Sequence, residues 1–229
     1  MSSADRDWRG IIVPVTCALM GAGLLALAGP RAVAALVSLP GGPVLARVQA
    51  MEPVRSEALD VLIGAEDAAL AWVDSGRRRT DRALALLLRA RQQDAADNEF
   101  LADSLTGLKA GLARAPANAF AWTRLAYAET LLNGPSPAAA AALRMSLVAA
   151  PYEPRLLTVR LELCLRSWDY FAPADRVLVG AQIRTAWRHA PGRVMELVRR
   201  TRRATAVLEA LRGSRDDIVE FGARLRAGH

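Results

Sequence analysis

Side chains that commonly carry chemistry are scarce in this chain. Its only histidines are His189 and His229, and its only cysteines are Cys17 and Cys164. A metal centre needs three or four converging ligands, so His189, alone near an expected helix end, suits a solvated or capping role. Neither Cys164 nor any serine sits in a nucleophile motif. Gly41-Gly42 and Gly107 do not form a phosphate-cradling loop before a lysine. Glu162 and Asp169 are the acids nearest the aromatic run at 168–171, but their spacing marks no general acid/base pair, and solvated helix-surface charges describe them better. We therefore expect no catalysis, no cofactor and no metal. Cys17 lies in an apolar stretch far from Cys164, so no intramolecular disulfide is expected.

What remains is charge. The net charge is +7, Lys109 is the only lysine, and the first 40 residues hold three Arg and two Asp, leaving +6 beyond them. Such a balance favours anionic partners. Arg77, Arg78 and Arg79 are expected in a solvated loop. Arg199, Arg200, Arg202 and Arg203 are more informative. On a helix over 192–212, at about 100° per residue, they fall within an arc of about 160°. Leu197, Val198, Thr201, Ala204, Leu208 and Leu211 lie opposite. A capping helix that packs its leucine face and wets its arginine face accounts for this pattern. The same face would suit anionic lipid, acidic polysaccharide or an acidic protein, at about 1 kcal/mol per arginine near a negative membrane. No groove-reading or stacking motif accompanies the arginines, so nucleic acid is not expected.

These residues need elements to position them, and the first is apolar. Residues 11–28 read IIVPVTCALMGAGLLALA without a charge, between Arg9 and Arg31. That length suits a membrane helix, with Pro14 in its first turn and Trp8 as an interfacial anchor. Two readings stand: an uncleaved anchor, and a signal peptide cut after Ala28, where Ala26-Leu27-Ala28 resembles a cleavage site. The long apolar core and the mixed-charge flank favour the anchor over the signal peptide and over a buried core helix. Pro30 and Arg31 predict a break before the second apolar stretch, 32–39. The charges flanking the span weakly favour a cytoplasmic N-terminus, which would make the bulk of the chain periplasmic. We divide the chain into a tail (1–10), the hydrophobic segment (11–38), a Pro/Gly linker (39–52) and a helical domain (53–229).

No stretch alternates with period 2, so the domain is expected to be all-α. Pro53 would open a helix running to about Val73, ended by Asp74-Ser75-Gly76. Thr80 is the expected N-cap of a helix through Arg91. After the polar residues 94–98, Leu101, Leu105, Leu108 and Leu112 make one stripe. Ala115-Pro116, Ala150-Pro151 and Ala190-Pro191 mark helix ends, and Ser136-Pro137 marks a start. Between the last two Ala-Pro pairs, Leu156, Leu161 and Leu163 would form one helix, and the run from Trp168 to Pro173 would turn into the next. Ser214 with Asp217 makes a weak capping box, followed by Ile218, Phe221 and Leu225 on one face.

Trp122-x-x-Leu125-Ala126, small residues around Ala141, Leu143 and a closing Pro151 resemble the tetratricopeptide repeat, whose period is about 34 residues. The resemblance covers 117–191, with a looser pair at 80–116, and implies a short α-solenoid of antiparallel hairpins. Trp122, Leu125, Ala126, Leu143, Pro151 and Trp187 are then packing residues, and Trp168 with them, in preference to a sugar-stacking platform. The run RMSLVAAPYEPRLLTVRLELCLRSWDYFAPADRVLVGAQIRTAWRHAP is also similar to membrane-anchored proteins of bacterial exopolysaccharide systems, the VpsP-like group. That similarity implies a non-catalytic scaffold or adaptor in polysaccharide assembly or export. Such a protein would be held by a single span in the bacterial inner membrane, with protein partners in the inner-membrane and periplasmic space. The residues themselves leave two alternatives open: an anionic polymer- or lipid-binding protein, and a periplasmic chaperone-like adaptor.

Overall fold

The computed structural model describes residues 3–93 and 99–227, with side chains from residue 12 onward. The polar stretch at 94–98 and His229 lie outside the described residues, as does the side chain of Trp8. The chain is all-α: the described residues form twelve α-helices and two short 3-10 turns, with no strand.

Helix α1 (Ser3–Val37) is continuous through both Pro14 and Pro30. The break expected at Pro30 is absent, and Pro14 lies well inside the helix. Proline removes one backbone donor, and neighbouring side chains attend to carbonyls nearby. The Thr16 hydroxyl donates to Ile12 O (2.8 Å) and the Arg31 guanidinium to Leu27 O (2.7 Å). Residues Ile12–Val37 are long and apolar enough to cross a membrane, with a mean hydropathy of 2.0 over an 18-residue stretch. Burial divides this stretch. Every side chain from 12 to 28 is exposed, whereas Gly29, Pro30, Val33, Ala34 and Val37 are covered to some degree along one stripe. The stripe faces α3 (Ser56–Leu70).

The expected linker is folded. A 3-10 turn at Leu39–Gly41 leads into α2 (Gly42–Gln49), and both pack on α3. The reason is apolar content in the right register. Val44, Leu45 and Val48 lie against Leu59 and Leu62, and a Cβ at Gly41 would sit 3.0 Å from Leu62 Cδ1. Pro53 precedes α3 instead of entering it.

Helix α4 (Gly76–Gln92) begins one turn earlier than Thr80 had suggested. It runs antiparallel to α3, as the Asp60–Arg89 and Asp67–Arg82 pairs show. Helix α5 (Glu99–Arg114) returns along it. Leu101, Leu105, Leu108 and Leu112 are all buried, as their spacing requires. The α4–α5 crossing is close because Gly76 meets Gly111 and Gly107 meets Ala83. Ser104 Oγ ties the pair by donating to Ala83 O (2.8 Å).

The next hairpin is α6 (Ala119–Asn133) with α7 (Pro137–Ala149). Both N-caps follow the rule that a short polar side chain accepts from the first turn. Asn118 accepts from Ala121 N (3.0 Å), and Ser136, expected as a cap, accepts from Ala139 N (3.2 Å). Helices α8 (Pro154–Arg166) and α9 (Pro173–His189) form the third pair, joined through the 3-10 turn Trp168–Tyr170.

The single helix expected over 192–212 is two. Helix α10 (Pro191–Thr201) ends where Arg202 adopts a left-handed backbone, φ 58°. Helix α11 (Ala204–Leu211) then folds back onto α9. Val194, Leu197 and Val198 of α10, and Ala206, Val207 and Leu211 of α11, are buried in one core. Burying each large apolar side chain contributes about 1.5–3 kcal/mol, which outweighs the roughly 1–2 kcal/mol cost of one left-handed residue. Ser214 caps α12 (Arg215–Ala227), accepting from Asp217 N (3.3 Å), and Phe221 closes the core edge-on against Trp187.

Candidate functional site

The helix expected to carry Arg199, Arg200, Arg202 and Arg203 is broken at Arg202. Arg200 of α10 pairs with Glu162 on α8 (2.7 Å), and Arg203 makes two hydrogen bonds to Asp169. Arg199 lines a shallow depression with Gly192, Met195, Arg224 and Ala227, and Arg202 sits exposed at the turn. The four charges therefore do not lie on one straight helix, and two of them are committed within the fold. The same pairs occupy Glu162 and Asp169, with Glu162 also held by Arg166 (2.7 Å). Pairs this exposed contribute at most about 1 kcal/mol each. Arg203→Ala should accordingly lower unfolding stability by less than about 1 kcal/mol in a urea titration. A loss several times larger would mean that the pair organises the turn.

The residues expected to pack between repeats differ in burial. Leu125, Ala126 and Leu143 are buried, as are Trp168 and Trp187. Trp122 is half-buried and donates its indole N–H to Pro116 O (2.7 Å), and Trp187 donates to Asp217 Oδ1 (3.2 Å). Pro151 is exposed, yet its carbonyl accepts from the Gln182 amide. Of the small residues around Ala141, Ala139, Ala140 and Ala142 are buried, and Ala141 itself is exposed.

Arg77, Arg78 and Arg79 lie not in a loop but in the first turns of α4, where acids wait for them. Arg78 reaches Glu66 (3.1 Å), Arg79 reaches Asp74 (2.6 Å), and Arg77 approaches Asp81 (3.6 Å). Asp74 also receives Arg114, and its carboxyl titrates below the usual range because these guanidinium groups hydrogen-bond to it. Glu66 and Asp81 behave oppositely. Both are buried, and desolvation pushes both carboxyl pKa values up against the opposing pull of the arginines.

Sequence reasoning did not single out these two acids, because an isolated Glu or Asp reads as a surface charge. The native protein holds protons on them at pH values where the unfolded chain has released its own, so stability falls as pH rises above the ordinary carboxyl range of about 4. Asp81→Asn should remove part of that fall, which thermal melts across the window would detect. An unchanged pH profile in the variant would show that Asp81 ionises normally in the fold.

Arg160 was likewise missed. It is fully buried and donates to Ser146 O (3.1 Å), Ala150 O (2.7 Å) and Gln182 Oε1 (3.0 Å). No carboxylate contacts it. Its charge instead sits at the C-terminal end of α7, where the helix dipole is negative. Burial pushes its pKa down. Cys164, one turn along α8, is buried, and burial raises its thiol pKa to about 12, so it is inert as a nucleophile. Cys17 and Cys164 are both free thiols. His189 is exposed, its Nδ1 is 2.8 Å from Thr185 O, and its ring stands 6.2 Å from Tyr152. Among the described residues, no group of three or more His, Cys, Asp or Glu could hold a metal ion.

Set against family models, curated proteins and solved structures, the chain matches none of them.

Proposed function

We propose that this protein is a membrane-anchored, non-catalytic scaffold that presents a short array of helical hairpins to protein partners. The observation that carries this reading is the division of α1. Residues 12–28, about 25 Å of helix, expose their apolar side chains to no protein at all, while the next turns are packed into the array. A soluble protein would leave that apolar surface wet, at about 25 cal/mol per Å². A bilayer core of about 30 Å covers it. The helix continues toward Ser3 and so has the length to cross. Helical arrays recognise partners by packing along extended surfaces, and the exposed Leu131, Leu132, Val148 and Tyr152 supply apolar contact area. The pairing of Arg200 and Arg203 weighs against an anionic-polymer role for the 192–212 region. The envelope polysaccharide context, the inner membrane and the periplasmic side rest on sequence resemblance and flanking charge alone.

A compartment-sensitive reporter fused after His229, followed by membrane extraction, tests the anchor and its direction. A membrane-retained, periplasmic reporter supports the scaffold, and cross-linking should then recover membrane-embedded polysaccharide machinery. Recovery of the protein alone would count against the adaptor role. A truncation sharpens the test. A chain beginning at Gly29 should be released from the membrane and keep its fold, because the residues that pack on α3 remain. A chain beginning at Pro43 should lose thermal stability, because Ala34 and Gly41 leave the core.

A further inference from the structure

With α1 across a bilayer, one end of the array meets the lipid. Residues 10–30 carry no charge and belong to one continuous helix. They rise about 30 Å, the thickness of a bilayer core. Arg31 then stands at the boundary of the hydrocarbon, and the turns that pack on α3 begin beside it, at Gly29. The end of α3 that lies next to Gly29 is therefore at the level of the headgroups.

That end is the C-terminal one. A Cβ at Gly41 would lie 3.0 Å from Leu62 Cδ1 and 3.1 Å from Ala65 Cβ, so the chain leaves α1 beside the middle of α3. It then runs through α2, packed on Leu59 and joined by Val54, to the N-terminus of α3. Helix α1 approaches from the other side, and Ser38 shares a cavity wall with Glu66 and Ser75. From Val37 back to Gly29 the helix covers about 12 Å, and from Ala65 to Trp72 α3 and its closing turn cover about 10 Å. Gly29 and Trp72 thus stand at nearly one level.

Trp72 suits that level. It is 53% exposed, and the backbone that carries it is fixed by helix-end bonds, Ala71 N to Asp67 O (3.1 Å) and Trp72 N to Ala69 O (3.2 Å). Trp122 and Trp187 donate their indole N–H to protein oxygens. Among the described residues none accepts from the Trp72 indole, which keeps its donor for solvent or lipid. A side chain with an apolar body and a free polar tip is the kind that membrane interfaces enrich. The one acid of the turn, Asp74, is bound by Arg79 and Arg114, so it faces the lipid phosphates as a paired charge. Ala68 and Ala71, exposed beside it, add none. We propose that Trp72 and the α3–α4 turn rest in the headgroup layer of the membrane that α1 spans, a second lipid contact that holds the array against tilting about its span. This contact rests on the anchored reading of α1.

The test is tryptophan fluorescence of the full-length protein in phosphatidylcholine vesicles, with and without lipid brominated near the headgroup or near the chain end. Flotation of the same vesicles reads the anchor separately. Bromine quenches the indoles it touches, and Trp168 and Trp187 are buried away from it. The wild type should lose more emission to the shallow bromine than Trp72→Phe does, by up to about one fifth of the total, the share of one tryptophan in five. Trp72→Tyr repeats the comparison if Trp72→Phe disturbs the fold. Protein that floats but shows equal quenching in wild type and variant overturns the proposal, leaves the anchor standing and frees the turn for a protein partner. A difference greatest with the deep bromine overturns the headgroup placement. Protein that does not float overturns the anchor, and the proposal with it.

Discussion

Gly111→Val should unfold much of the α4–α5 hairpin, with a loss of about 3 kcal/mol or more in urea denaturation, at the upper end of overpacking costs. A Cβ at this position would lie 2.6 Å from Thr80 Cγ2 and 2.9 Å from Gly76 O. The second contact is to backbone, which cannot rotate away. The first is to a side chain held in place by its own hydrogen bond, Thr80 Oγ1 to Arg77 O at 2.8 Å. Gly111→Ala separates the terms. Alanine gains about 1 kcal/mol of helix propensity over glycine, so a net loss measures the clash. Combining it with Thr80→Ser, which removes Cγ2, should recover part of that loss, and strictly additive effects would show that the two positions do not compete for the same space.

A loss of similar size is expected from Arg160→Met, about 3 kcal/mol by the same measurement, because each hydrogen bond from a charged donor contributes about 1.5–3 kcal/mol. The methionine would fill much of the volume but leave Ser146 O and Ala150 O at the end of α7, and Gln182 Oε1 on α9, without their donor. Arg160→Lys should not rescue it. A lysine ammonium is a single point, whereas the guanidinium reaches α7 and α9 with separate nitrogens from α8. A lysine variant as stable as the wild type would reduce the role of Arg160 to charge alone.

What could be read from the sequence was periodic or local. The leucine stripe at 101–112 follows from helical spacing, and the Ser136 cap and Ser214 cap follow from short polar residues at helix starts. The errors share one cause, contacts between distant segments. Pro30 forbids one hydrogen bond, yet the helix continues through it, and Val33, Ala34 and Val37 in the turns after it pack on α3. Asp74-Ser75-Gly76 does mark the interruption between α3 and α4, but the loop expected at Arg77, Arg78 and Arg79 is helix, with Glu66 and Asp74 pairing with Arg78 and Arg79 where α4 opens. The arc of Arg199, Arg200, Arg202 and Arg203 is right for a straight helix. The reversal at Arg202 has no local signal, since neither glycine nor asparagine marks the left-handed residue. Glu66, Asp81 and Arg160 are ordinary charged residues in the sequence, and only the surrounding chain makes them buried.

The contact between the last turns of α1 and α3 has a geometric consequence. A span followed by a flexible tether lets its cargo sweep a volume that widens with tether length. Here the helix runs unbroken from the apolar stretch into the packed array, so the array has no swivel. With α1 in a bilayer, as proposed, the height of the array above the membrane would be set by the length of α1, and its facing direction by the rotation of that helix. A partner in the same membrane would meet the array at one fixed distance and bearing. The fixed mount would raise the effective concentration for partners of matching height and exclude the rest. Inserting a Gly/Ser segment between Ala28 and Gly29, ahead of the turns that pack on α3, would convert the stalk to a tether and discard that selection.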